Sequence, residues 1–516
     1  MQIDKEYISE RSLIGLHSES TGDYPLPDYN SGIKRVLTIN SRVVPTGRFI
    51  TENSVEFSGA VFYDVVYIDS ENNLSCADFS TDYEIAVKID PETYEDSCID
   101  TAISGCTVRL IGPRKISAKC SLTSDVRIME KKYFEVSGDA MDSGEPEILT
   151  ANVKVISSAF AYGDTIEYRE EILSIDGAIE DEVGVLMCDL RGEVSSVSCD
   201  GGGADVKGDI TAALLYKNAD SPILVKNVRL PYSAHVNSDG FDDCVSLIGR
   251  IDISALKTEI VPTEDGVLVY LSFGAAPFVR GLKNNNLEVV RDSYFKERGT
   301  TNEYGDFSYC EHICTESKEV DFSAKLPLSE VSDSDISAFS YVSSFARIDE
   351  CNMDDSGVRI KGEIRFTAIA SEESDEKHLD YINTKFTVPF EEYVSVSCQK
   401  HDNMRMECHA KTMDDVVEIV DNHAVASCKL ALFVTLNSNK KQRCLGASYL
   451  DGEEFEREDS VITVYYPDEH ESVFDIAKKF HTSVQCIAED NELSQSVFAS
   501  PDAPVKPFGY KKLIIK

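Results

Sequence analysis

A run of metal-binding residue types lies in the second half of the chain, where residues 310–314 read Cys-Glu-His-Ile-Cys. Thiolates and imidazoles are ligands that Zn²⁺ prefers, and a structural zinc site needs four of them at suitable spacing. No second ligand pair follows nearby in the sequence. We therefore expect no metal at this run and interpret its cysteines as small, buried hydrophobic residues.

A second candidate set consists of Cys398, His401, Cys408 and His409. On a strand, the adjacent Cys408 and His409 would point to opposite faces, which argues against shared coordination. The chain also lacks the G-x-S-x-G, P-loop and H-E-x-x-H motifs. We therefore expect no catalytic residues, no metal and no cofactor.

The charge balance is strongly acidic, with 91 Asp and Glu against 50 Lys and Arg and a formal net charge of −41. Such a surface repels phosphate backbones, so we expect no nucleic-acid partner. The first residues show no secretory signal, and no apolar run reaches the ~18 residues of a transmembrane segment. The expectation is a cytoplasmic protein in which the 15 cysteines form no disulfide framework.

The elements that would position any site belong to a module that recurs about every 150 residues. Each copy has a strand-like segment with a central glycine, at Gly59, Gly208 and Gly362. A leucine precedes each glycine and an aromatic residue follows it at nearly constant offsets; these markers are Leu26, Leu173, Leu328, Tyr83, Tyr232 and Phe390. Alternating β-branched and aromatic residues predict a mainly β fold with sandwich-like modules, and the glycine predicts a bulge or a close backbone approach.

Polar stretches over residues 137–147, 284–318 and 451–459 separate the copies, and we expect irregular connectors there. The predicted β-rich domains therefore cover residues 1–140, 141–310 and 311–455. Residues 456–516 form a different domain, with a strand over 461–466, helices over 472–480 and 483–490, and a closing strand over 512–516. Ser472 is the expected N-cap of the first helix, and Asp475 is its capping-box partner.

This β-α-α-β tail resembles the LysM module, whose usual opening is Y-x-V-x-x-G-D-T-L-W-x-I-A-x-x-Y. Residues 465–480 (YYPDEHESVFDIAKKF) follow that pattern, and residues 491–493 and 506–515 follow its later parts. His470 and Glu471 stand where the family usually has Gly-Asp, and Phe474 stands in place of the common Trp. The changed loops disfavour the sugar groove of ordinary LysM modules.

Three β-rich repeats followed by a LysM-like domain resemble the SPOCS-domain spore-coat morphogenesis proteins of endospore formers. Residues 112–116 (GPRKI) and 292–294 (DSY) are similar to SPOCS fragments. The resemblance implies a non-catalytic scaffold or adaptor in the mother-cell cytosol, at the forespore surface, that serves spore-coat assembly. It also implies that the LysM-like domain binds a coat base-layer ATPase of the SpoIVA type.

We therefore predict that the tail binds a protein. The candidate partner-binding residues are His470, Glu471, Phe474, Asn491, Phe508 and Tyr510. His470 adds a side chain where glycine would let a sugar approach closely, its acidic neighbours favour a basic protein surface, and exposed aromatics suit a binding hot spot. The main alternative is an envelope protein that binds peptidoglycan or cortex glycans, and a further one is a cell-wall hydrolase targeted by its tail.

Overall fold

The structure, a computed structural model, describes residues 3–28, 30–142, 144–199, 201–218, 223–372, 380–455, 462–493, 501–505 and 509–516. Strands account for 77% and helices for 5% of the described residues, which confirms the prediction of a mainly β fold. The strands form repeated modules of two sheets each, and a small domain with two helices ends the chain.

The first module is built from six long strands. They are β1 (Ile3–Pro25), β2 (Ile33–Ile50), β3 (Ser54–Asp69), β4 (Leu74–Lys88), β5 (Tyr94–Gly112) and β6 (Lys115–Val136). One sheet has the order β1-β6-β5 and the other has the order β2-β3-β4, with antiparallel pairing throughout. Buried side chains of both sheets, such as Val55, Tyr63 and Leu122, form one core between them.

The second module repeats this arrangement, except that its first strand is divided in two. Its strands are β7 (Glu147–Tyr162), β8 (Ile166–Asp176), β9 (Val183–Cys199), β10 (Gly203–Asn218), β11 (Leu224–Asn237), β12 (Ser246–Pro262) and β13 (Gly266–Tyr294). Both β7 and β8 pair with β13, as the two halves of β1 pair with β6 on either side of a bulge between Leu13 and Leu16. Short 3-10 helices over Asp139–Asp142 and Glu180–Glu182 lie before β7 and before β9.

The third module repeats the two-sheet pattern again. Its strands are β14 (Arg298–Pro327), β15 (Ile336–Met353), β16 (Gly357–Glu372), β17 (Asp380–Ser395), β18 (Met404–Val420) and β19 (His423–Glu454), with helix α1 (Leu328–Val331) between β14 and β15. The sheets have the orders β14-β19-β18 and β15-β16-β17. The second and third modules each enclose a core of their own, as the first does.

The repeated glycine and the repeated aromatic residue are cross-strand partners in all three modules. Gly59 pairs with Tyr83, Gly208 with Tyr232, and Gly362 with Phe390. A Cβ atom at Gly59 or Gly362 would overlap the partner's aromatic ring, and one at Gly208 would overlap the backbone of β9. The predicted close backbone approach is therefore confirmed at Gly208 and Gly362, whereas Gly59 leaves room for the ring of Tyr83.

The modules also share two hydrophobic clusters to which all three contribute. One contains Leu37, Leu215 and Tyr341, and the other contains Val136, Val289 and Leu445. Between modules, Arg127 of β6 forms a buried ion pair of 3.0 Å with Glu407 of β18. Burial of apolar surface stabilises these contacts in proportion to its area, so the modules are packed against one another as well as individually cored.

The predicted connectors are only partly irregular. Residues 284–318 are not a loop: β13 continues through Tyr294 and β14 begins at Arg298, so residue 310, where a domain boundary was predicted, lies inside β14. Likewise β19 continues to Glu454, into the third predicted connector, while residues 456–459 lie outside the described residues. Between the first two modules, the chain passes from β6 through the short 3-10 helix to β7.

The C-terminal domain, called the tail here, has the predicted β-α-α-β order. Its elements are β20 (Thr463–Tyr465), α2 (Val473–Lys479), α3 (Val484–Asp490) and β21 (Leu513–Ile515). The two strands form an antiparallel sheet in which Val464 is the partner of Ile514. The helices are short, so their stability depends on packing rather than on intrinsic propensity.

Candidate functional site

Both helices of the tail begin at serine caps that satisfy otherwise unpaired N–H groups. Ser472 Oγ accepts a hydrogen bond of 3.1 Å from the Asp475 N–H, and the Asp475 carboxylate accepts one of 3.0 Å from the Ser472 N–H. This is the predicted capping box. Ser483 Oγ accepts in the same way from the Cys486 N–H, at 3.0 Å. The caps fix where each helix starts and thereby which residues face the sheet.

The tail is docked on the second module, at the end of β13. Tyr294 stacks edge-on against Phe474 with ring centroids 5.2 Å apart, and its hydroxyl donates a 2.7 Å hydrogen bond to the Thr482 carbonyl. Burial raises the pKa of Tyr294, so the hydroxyl remains protonated. Asp292 forms an ion pair of 2.7 Å with Lys478. The segment 292–294, which the sequence related to SPOCS fragments, is thus the docking point of the tail.

Further contacts hold the tail from other directions. Arg291 forms an ion pair with Asp502, in the segment between α3 and β21. The ring of Phe455 lies 3.8 Å from that of His481, and burial lowers the pKa of this histidine. Contacts from β13 and from the end of the third module therefore reach α2, the turn after it and the loop before β21.

Three of the predicted partner-binding residues have structural roles inside the tail. Phe474 is only 2% exposed and belongs to the tail's core, so its prediction as a contact for an outside partner is wrong. Glu471 accepts hydrogen bonds from the Tyr465 hydroxyl at 2.7 Å and the Asp468 N–H at 2.8 Å. Burial disfavours its ionisation, but these hydrogen bonds and the charge of Lys479 hold its pKa below the usual value.

Asn491 joins α3 to β21. Its Nδ2 donates to the carbonyls of Ile487 and Ile514 at 2.8 and 2.7 Å, and its Oδ1 accepts from the Ile514 N–H at 2.6 Å. The side chain therefore occupies the outer edge of β21. The N–H and C=O of Ile514 thus point to Asn491 and away from β20, so Ile514 and its partner Val464 form a non-hydrogen-bonded pair. In such a pair the Val464 N–H and C=O also point away from the partner strand, to the free edge of β20.

The other three predicted partner-binding residues, His470, Tyr510 and Phe508, differ in their exposure and in whether the structure describes them. His470 is exposed in the turn before α2, as predicted. Tyr510, which was predicted to be exposed, is half-buried against the tail's core, and its role as a partner contact stays a prediction. Phe508 lies outside the described residues. The structure does not bring the predicted residues together as one external surface, because Phe474 lies in the tail's core and Glu471 and Asn491 bind groups within the tail.

An apolar face that the sequence did not single out lies on the outer side of the tail's sheet. Ile462, Val464 and Tyr466 are 66%, 52% and 68% exposed, and Ile514 beside them is 40% exposed. We call these four residues the sheet face. In the described part of the chain β20 pairs only with β21, so the β20 edge beside this face is open. Five of the six residues over 461–466 (VITVYY) are apolar or aromatic, so the sequence does not reveal which alternate residues face inward.

The two candidate metal-binding sets approach each other at Cys314 and Cys398, which both lie beside the third core. His312 is buried in β14 and its Nδ1 lies 3.1 Å from Asn437 Oδ1, and burial lowers its pKa. Cys408 packs towards the third core while His409 is exposed, as strand alternation predicts. Among the residues that the structure describes, no group of three or more His, Cys, Asp or Glu side chains is placed to hold a metal ion.

A cavity of about 470 Å³ lies between the second and third modules. Arg191 on its wall binds Asp189 at 2.8 Å and Asp415 at 3.4 Å. Tyr341 donates to Asp189 at 3.2 Å, and Ser344 donates its N–H to Asp415 at 2.8 Å. These charged groups bind one another across the module boundary and so stabilise the junction.

Searching the described residues for a helix long and apolar enough to cross a membrane gives none. No protein-family model, curated protein or solved structure matches the chain. The assignment of function therefore depends on the tail, its open strand edge and the sheet face.

Proposed function

We propose that the chain is a non-catalytic scaffold or adaptor in spore-coat assembly, similar to SipL-type SPOCS proteins, and that its tail captures a protein partner. The observation that carries the proposal is the sheet face, where Ile462, Val464 and Tyr466 are each more than half exposed. Solvent-exposed apolar residues grouped on one small domain are typical of protein-binding surfaces. The proposed place of action is the mother-cell cytosol at the forespore surface.

The edge of β20 suggests how the partner binds. The Val464 N–H and C=O point to the side where no described strand pairs, so an extended partner segment can add a strand there. Side chains of the sheet face would then pack against that segment. The proposed partner is a coat base-layer ATPase of the SpoIVA type.

The peptidoglycan alternative needs a different surface. LysM-like sugar recognition depends on the loops that flank the helices, and here Glu471 and Asn491 of those loops bind within the tail. Arg291 of the second module reaches the loop before β21 through Asp502. Both features favour a protein partner at the sheet over a glycan at the loops.

The test compares Val464→Asp with Val245→Asp in the full chain. Val245 is a matched control, since it is 58% exposed against 52% for Val464 but lies on the second module. Binding of the purified ATPase should weaken at least ~10-fold, equivalent to ~1.4 kcal/mol, for Val464→Asp and remain unchanged for Val245→Asp. Circular dichroism checks that both variants stay folded.

Equal ATPase binding by the wild type and folded Val464→Asp would contradict the proposal. Saturable binding of the wild-type chain to purified peptidoglycan, with no binding to the ATPase, would instead support the glycan-binding alternative.

A further inference from the structure

Six of the fifteen cysteines, all of which are free thiols, form three pairs of neighbouring side chains. Cys106 and Cys120 lie opposite each other on paired strands, while Cys314 with Cys398 and Cys351 with Cys408 lie beside the third core. Interaction within each pair shifts the pKa of a thiol. None of these residues has a role in the tail or in the partner surface, so the pairs form a feature separate from the proposed function.

The first pair lies within one sheet of the first module. Cys106 of β5 and Cys120 of β6 are direct cross-strand partners. Such partners have Cβ atoms ~4.5–5.5 Å apart, and a disulfide needs ~3.5–4.5 Å, so a small local shift brings the sulfurs into bonding distance. Cys120 is fully buried, whereas Cys106 is only half-buried and is the member that a small oxidant can reach.

The hydrogen bond within this pair also distinguishes the two thiols. Donation from Cys120 lowers the pKa of Cys106, which favours its thiolate, while the pKa of Cys120 is raised. The thiolate is the nucleophilic form of cysteine. Cys106 is therefore the attacking thiol, and Cys120 is placed to resolve the product.

The other two pairs join the two sheets of the third module. Cys351 lies on β15 and Cys408 on β18, and these strands belong to different sheets that pack against each other. Cys314 lies on β14, and Cys398 follows β17 of the opposite sheet. All four side chains border the third core and are half-buried, so each pair has a member accessible to a small oxidant.

We propose that these three thiol pairs are disulfide-forming sites, which close when the chain meets a peroxide and lock the first and third modules in their folded form. A thiolate attacks hydrogen peroxide, breaks its O–O bond and becomes a sulfenic acid, with release of one water after protonation. The second thiol then attacks the sulfenic sulfur and expels a second water. Each pair loses two electrons and two protons, and one peroxide becomes two waters.

The consequence is a change in stability that depends on oxidation. A crosslink between the sheets of the third module restricts the unfolded chain far more than the folded one, because the bonded residues are distant in sequence but in contact in the fold. Oxidised protein should therefore unfold at higher urea concentration than reduced protein.

The experiment treats the full-length reduced chain with hydrogen peroxide, blocks remaining thiols with N-ethylmaleimide in urea, and maps peptides without reduction. The expected result is a fall from fifteen free thiols to nine, with crosslinked peptides joining the three stated pairs. The urea midpoint of wild-type protein should rise on oxidation, and Cys351→Ser should reduce that rise. Cys76→Ser, which changes an exposed cysteine outside the pairs, should leave it unchanged.

The peptide map of the wild type decides the question even if a serine variant folds poorly. The proposal is overturned if the six paired thiols are still blocked by N-ethylmaleimide after peroxide treatment. It is also overturned if the bonds link other cysteines, such as the exposed Cys199 and Cys486 of two chains.

Discussion

The buried ion pair between Arg127 and Glu407 gives the sharpest test of how the modules are held together. Arg127 Nη2 lies 3.0 Å from Glu407 Oε2, with side chains only 6% and 7% exposed. Glu10, whose side chain is 4% exposed, lies 3.7 Å from the same guanidinium. The Glu10 carboxylate also accepts a hydrogen bond from the Ser158 hydroxyl of the second module. One cluster thus connects strands of all three modules.

Glu407→Gln removes the charge and keeps the shape. At 3.0 Å and an effective dielectric constant of ~20, the lost attraction is about 5 kcal/mol, part of which is offset because the carboxylate no longer has to be desolvated. Removing one partner of a buried pair usually costs 3–5 kcal/mol, because the other charge stays buried without compensation. Glu10 remains near Arg127, so we expect about 3 kcal/mol of destabilisation.

Urea unfolding of the full chain, followed by circular dichroism and by tyrosine fluorescence, measures the change as a shift in midpoint. Glu391→Gln is the control, since its 2.8 Å pair with Arg359 is about half exposed and should contribute little. The double replacement Arg127→Met with Glu407→Leu removes both partners but leaves the buried Glu10 without this guanidinium, so it should recover only part of the stability. Equal midpoint shifts for Glu407→Gln and Glu391→Gln would refute this account of the junction.

Two further substitutions test other parts of the fold. Burial raises the pKa of Asp64 to about 6, so the folded state is favoured while this carboxyl is protonated, and that advantage is lost as the pH rises from the unfolded value of ~3.9 to 6. Asp64→Asn should therefore raise the free energy of unfolding by up to about 3 kcal/mol at pH 7 and remove this pH dependence between pH 4 and 6. An unchanged pH profile of stability would contradict the burial argument. Phe474→Ala should cost about 3–5 kcal/mol and open the tail before the modules, as measured by hydrogen exchange, whereas Phe49→Ala, at a 62% exposed side chain, should leave exchange in the tail unaltered.

The repeat could be predicted because each module needs the same residue types at the same places in its sheet. Gly59, Gly208 and Gly362 each lie where a side chain would overlap a neighbour, and the aromatic residues lie opposite them in the ladder. The tail's order of elements was equally readable, since Ser472 and Ser483 cap helices whose apolar residues recur at helical spacing.

The strand through residues 284–294 could not be predicted, because its polar residues satisfy partners that are distant in sequence. Asn284 Nδ2 donates to the His312 carbonyl at 2.8 Å, and its Oδ1 accepts from the His312 N–H at 3.0 Å. Asn285 Nδ2 donates to Ser157 at 2.8 Å. Three consecutive asparagines normally indicate a turn, but here Asn284 bonds to the third module and Asn285 to the neighbouring strand β7.

Phe474 was wrongly predicted to contact an outside partner for a related reason. The sequence reasoning treated the tail as an isolated domain whose aromatic side chains had no intramolecular partner. In the structure, the ring of Phe474 packs against Tyr294 of β13. An intramolecular surface uses the same apolar and charged side chains as an intermolecular one, so sequence alone does not separate them. The exposed sheet face becomes identifiable only when the docked side of the tail is known.

Docking of the tail has a consequence for the proposed scaffold. Lys478 and Thr482 bind Asp292 and Tyr294 of the second module, so the tail is held on the opposite side from its sheet. A partner bound at Val464 would therefore take a fixed orientation relative to the three modules, instead of moving on a flexible linker. A fixed orientation lowers the entropy cost of each later contact between the modules and the partner's neighbours, because those groups are already positioned. In a growing protein layer, this would let one captured partner determine where the acidic modules lie.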